Sequence, residues 1–124
     1  MQNLLLVILG GGIGSGLRYG VGQIVAKKFP DFNTLGTLSV NILGSFLIGV
    51  LIAVLLKQGD SQNKLHLLLV TGFCGGFTTF SAFAYENYTL LKSGEYSAII
   101  LYILASLIFG IAAVFLGLFI GIKF

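Results

Sequence analysis

Four stretches of this chain, about 4–26, 34–56, 65–88 and 97–122, are almost continuously apolar. No other feature limits the possible folds as strongly. The hydrocarbon core of a bilayer is about 30 Å thick, and a helix needs about 20 apolar residues to cross it. Pro30 and Asp31 in "KKFPDFN" stop the first stretch, "KQGDSQNK" follows the second, and "LKSGEY" separates the third from the fourth. Strands of a membrane barrel would alternate apolar and polar residues over about ten positions. These runs do not alternate, so helices are expected. The opening "MQNLLLVILGGGIGSG" lacks a basic leader and a small-residue cleavage site, and reads as a retained first helix. The expected fold is an all-α integral membrane protein, with residues 1–124 as one domain of four transmembrane helices.

Composition supports this and removes several functions. Charged residues are 9% of the chain, against about 25% in a soluble domain. The basic residues form no stripe interleaved with aromatics, which argues against nucleic acid as a partner. Cys74 and His66 each stand alone, so neither an intrachain disulfide nor a two-histidine metal site can form. No nucleophile–base pair suggests an enzyme. "GGGIGSGLRYG" fits neither glycine motif of nucleotide binding: Ser15, Leu17 or Tyr19 interrupts the dinucleotide pattern, and Leu17 replaces the lysine of a phosphate loop.

Glycine and serine recur four apart at Gly10–Gly14, Gly12–Gly16, Gly16–Gly20, Ser45–Gly49, Gly72–Gly76 and Gly117–Gly121. Small residues at this spacing let helices approach closely in lipid. The loop lysines fall evenly, with Lys57, Lys64 and Lys123 on one side and Lys27, Lys28 and Lys92 on the other. Orientation normally follows an excess of basic residues in cytoplasmic loops. Their balance predicts insertion in both orientations and an antiparallel dimer.

Polar residues inside the spans carry the chemistry. Arg18 lies past the middle of the first helix; a charge there costs about 2.5–3.5 kcal/mol on insertion scales. It either snorkels to the interface or provides a positive charge in an aqueous vestibule. Thr37, Asn41 and Ser45 lie four apart and share one helical face. Their neutral donors suit interhelical bonding or a small anion. Tyr102 and Ser106 repeat that spacing in the fourth helix. In the third, "GFCGGFTTFSAF", Gly72, Gly75 and Gly76 each weaken a helix by about 1 kcal/mol relative to alanine. A break near the middle of that helix is expected, freeing carbonyls for a cation and amides for an anion. Beyond it, Phe80 and Phe83 can offer the positive edges of their rings to an anion. Glu86 is placed at a membrane edge.

"GTLSVNILGSF", "GFCGGFTTFSAF" with the following Glu86, "GLRYG", and the Tyr102/Ser106 spacing closely resemble the CrcB/Fluc family of fluoride channels. The resemblance spans essentially the whole chain. It implies a dual-topology, antiparallel homodimer in a bacterial cell membrane, exporting fluoride passively through two pores that both subunits build. By motif position, it implies that Asn41 is a pore donor and that Phe80 and Phe83 form a phenylalanine box. Tyr102 and Ser106 would line a polar track, Thr37 would lie near the path, and Arg18 would occupy a vestibule. The main-chain carbonyls of Gly75 and Thr78 would hold a structural sodium ion (Na+) at the dimer centre. Gly110 stands where some family members offer another track hydroxyl. A proton-coupled transporter of dual topology is the alternative; it needs a protonatable group on the path, for which Glu86 is the nearest carboxylate.

Overall fold

A computed structural model of the chain describes residues 1–59 and 64–124, and every helical element in it belongs to one of four apolar rods. Helix α1 spans Gln2–Lys28 and α2 spans Leu35–Lys57. The third rod begins as a π-wound segment, His66–Cys74, and passes into the single turn α3, Gly75–Phe77. After Thr78 and Thr79 it resumes as α4, Phe80–Lys92. The fourth rod is α5, Tyr96–Lys123. All four are long and apolar enough to cross a membrane. The polar loop expected between Lys57 and Lys64 falls partly on residues 60–63, outside those described.

Large apolar side chains point outward along every rod, including Leu5, Ile13, Leu43, Leu101, Phe109 and Phe119. A few large residues, Val40, Leu55, Val70, Phe77 and Tyr102, are buried, and the closest helix contacts are made by glycines. A methyl group on Gly10 would strike the Leu68 carbonyl, and one on Gly14 would strike the Phe73 carbonyl. From the facing rod, Gly76 lies equally close to the Gly11 backbone, so α1 and the third rod interlock main chain to main chain. The second pair is built alike: Gly49 of α2 meets the Val114 carbonyl, and Gly117 of α5 meets the Phe46 carbonyl. The four-residue glycine spacing therefore does pack helices at these positions. Gly12, Gly16 and Gly20 differ, because added methyl groups there meet nothing within 4 Å. They lie on the other face of α1.

The third rod departs from regular winding in two places. The glycines Gly72, Gly75 and Gly76 all remain helical despite their low propensity; Gly72 and Gly76 are held against α1, while Gly75 faces open space. Extended backbone falls at Thr78 (φ −85°, ψ 156°) and Thr79 (φ −149°, ψ 120°). At its far end α4 stops in a Schellman turn, with Gly94 at φ +76° and Glu95 N–H donating to the Leu90 carbonyl at 3.0 Å.

Candidate functional site

The side chain of Asn41, from the second turn of α2, is bonded twice to the backbone of Thr79. Its Nδ2 donates to the Thr79 carbonyl at 3.0 Å, and its Oδ1 accepts from the Thr79 N–H at 2.8 Å. An amide side chain offers a donor and an acceptor side by side, so it pairs with an extended residue as a neighbouring strand would. Thr79 is then used again: its Oγ1 accepts from Ala82 N–H at 3.2 Å and caps α4. Thr78 N–H and Oγ1 both turn back to the Cys74 carbonyl, at 3.0 Å and 2.9 Å.

These bonds decide which carbonyls lose their helical partners. In an α-helix the carbonyl of residue i accepts from the N–H of residue i+4. For Gly75 that donor is Thr79 N–H, which is given to Asn41; for Thr78 it is Ala82 N–H, which is given to the Thr79 hydroxyl. The neighbouring Gly76 carbonyl accepts from Ser15 Oγ at 3.4 Å. The Gly75 and Thr78 carbonyls therefore lack these two donors, and no metal-binding cluster of His, Cys, Asp or Glu occurs among the described residues.

Two cavities meet at this clamp. One, of about 530 Å³, is lined by Asn41, Ser45, Thr78, Phe80, Phe83 and Ser106, among others, with Gly75 and Gly110 in its wall. Among the described residues, no carboxylate or ammonium group lines it. The Ser106 hydroxyl oxygen is buried without a hydrogen-bond partner. The Phe80 and Phe83 rings lie 5.7 Å apart and tilted by 45°, and Phe80 is 78% exposed on the single chain. The other cavity, of about 420 Å³, brings Arg18, Thr37 and Glu86 together with Tyr19 and Asn33. Thr79 borders both.

Glu86 is bonded to two other helices. Its Oε1 accepts from Thr37 Oγ1 at 2.5 Å and its Oε2 from the Tyr102 hydroxyl at 2.6 Å. Tyr102 is 5% exposed and meets Phe83 edge-on, with ring centres 5.1 Å apart. The sequence pattern of α5 pairs Tyr102 with Ser106, but the Tyr102 hydroxyl is directed to Glu86. The candidate residues thus fall into three groups. Asn41, Phe80, Phe83 and Ser106 share the larger cavity with Gly75 and Thr78, Thr37 and Arg18 share the smaller one, and Tyr102 joins them through Glu86. Sequence reasoning leaves Glu86 out of the site. The signal that could place it there is an acid inside an otherwise apolar span, but its partners are distant in sequence.

A family described as "CrcB-like protein, Camphor Resistance (CrcB)" matches residues 5–118 of the chain. The chain belongs to this family. Named relatives agree along nearly their entire length. The fluoride-specific ion channel FluC of Gloeothece citriformis is 50% identical over 119 residues, covering 96% of each chain. The fluoride-specific ion channel FluC of Agrobacterium fabrum is 46% identical over 125 residues, covering 98% of this chain and 97% of its own. That of Rhizobium etli is 47% identical over 118 residues, covering 95% of this chain and 94% of its own. The span matched by the CrcB-like family contains every residue named in the walls of the two cavities.

Proposed function

We propose that this chain is a fluoride-selective channel of a bacterial cell membrane, exporting fluoride passively and limiting its toxicity. The carrying observation is the larger cavity, where neutral donors and two phenylalanine rings converge without a carboxylate. A small anion that sheds water needs hydrogen-bond donors and positive ring edges in its place. The wall supplies such groups through Ser106, Phe80 and Phe83, with Asn41 at its inner end. The relatives' common name, fluoride-specific ion channel, supports fluoride as the ion. Arg18 in the adjoining cavity provides a positive charge that draws anions toward the clamp. Thr37 and Tyr102 belong to that end of the path and Ser106 to the other.

The active form in this reading is an antiparallel homodimer with two pores. The exposed Phe80 ring and the open wall of the larger cavity support completion by a second copy, and the even lysine count supports insertion in both orientations. The third rod acts as a broken membrane helix whose extended Thr78–Thr79 link lies at the dimer centre. Gly75 and Thr78 suit a sodium ion there, since the N–H groups that would bond their carbonyls in a helix are used elsewhere and unwound backbone carbonyls can coordinate sodium. Bound sodium would supply a fixed positive charge between the subunits.

Glu86 in the wall of the Arg18 cavity favours one second reading, proton-coupled transport. Fluoride efflux from liposomes containing the purified protein separates the two. The channel reading requires fast, electrogenic flux that ignores an imposed pH gradient and strongly prefers fluoride to chloride. Obligate proton exchange overturns it.

A further inference from the structure

Glu86 is the one carboxylate within the four membrane-crossing rods, a position at odds with anion passage. Its surroundings indicate a different task. Helix α4 has no buried residue, and two extended residues join it to α3. Within the single chain, burial therefore does little to fix its tilt. Its start is fixed by the Asn41–Thr79 clamp. One to two turns further on, Glu86 receives hydroxyls from two other helices, Thr37 of α2 at 2.5 Å and Tyr102 of α5 at 2.6 Å. Both oxygens are engaged, and Arg18 lines the same cavity.

We infer that Glu86 is a positioning residue: it latches α4 to α2 and α5 and, through Tyr102, sets the Phe83 ring in the cavity wall. Phe83 precedes Glu86 by three residues, on the same helical face, and its ring meets that of Tyr102 at 67°. The carboxylate acts by accepting two hydroxyls and not by contact with the ion. The inference rests on the channel reading only for its flux consequence.

The test compares Glu86→Gln, Glu86→Ala and the double variant Thr37→Val/Tyr102→Phe in liposomes. A carboxamide offers one acceptor and one donor, and a hydroxyl can take either role, so Gln retains both contacts. Glu86→Ala is expected to cut fluoride efflux by about tenfold or more, with Gln restoring it to within about threefold of the parent. The double variant is expected to match Ala, and serves in its place should Ala not fold. Ring position is read separately, by the fluorine resonance of 4-fluorophenylalanine at position 83. One narrow signal is expected in the parent and Glu86→Gln, and a shifted or broadened signal in Glu86→Ala or the double variant. A resonance unmoved by loss of the latch, or Gln as impaired as Ala, overturns the inference. Absence of flux in the parent overturns the channel reading alone, since the resonance does not depend on transport.

Discussion

Asn41→Asp removes half of the clamp at Thr79 and leaves its shape intact. One carboxylate oxygen can still accept from Thr79 N–H, where the amide does so at 2.8 Å. The other replaces Nδ2 and faces the Thr79 carbonyl at about the present 3.0 Å, acceptor against acceptor. An acceptor left unsatisfied in a buried site costs about 1–3 kcal/mol, and the repulsion adds to it. Each 1.4 kcal/mol is a factor of about ten, so fluoride efflux at pH 8 should fall by about tenfold or more. The thermal midpoint of the purified protein should fall with it. Asn41→Ala, lacking both bonds, should lower flux and midpoint as well. Parental flux and midpoint in Asn41→Asp would falsify the clamp.

Gly14→Ala places a methyl group 2.8 Å from Phe77 N and closer still to the Phe73 carbonyl, and should lower stability by about 1–3 kcal/mol. Gly16→Ala, with nothing within 4 Å, should be the milder change when both are compared by thermal unfolding in the same detergent. Phe80→Ile should reduce fluoride efflux by about tenfold through loss of the ring edge, while the single chain, on which Phe80 is 78% exposed, keeps its helix content by circular dichroism. Unchanged flux in both Phe80→Ile and Asn41→Asp would remove these residues from the pore.

The four rods are legible in the sequence because each spans the bilayer by itself, and a run of apolar residues carries that information locally. The glycines are legible as packing residues, but their spacing alone does not separate Gly14, pressed against backbone, from Gly16, which faces open space. Propensity puts the interruption of the third rod at Gly75–Thr78. The backbone stays helical through Phe77 and is extended at Thr78 and Thr79. Packing against α1 outweighs the propensity of Gly72 and Gly76, and the residue that holds the extension open, Asn41, lies 38 positions away. Glu86 escapes a sequence reading for a related reason: its partners are 49 and 16 positions distant, on two other helices.

The interlocked backbones of α1 with the third rod, and of α2 with α5, invert the usual map of mutational tolerance. In a water-soluble domain the largest apolar residues are the least replaceable. Here Leu5, Ile13, Leu101 and Phe109 face outward from the single chain, away from its closest helix contacts. The positions that admit no substitute are among those with the least side chain, Gly10, Gly14, Gly49, Gly76 and Gly117, each occupied to its limit by a neighbour's main chain. Drift in such a sequence can rewrite most of its hydrophobic mass while leaving a sparse lattice of glycines fixed.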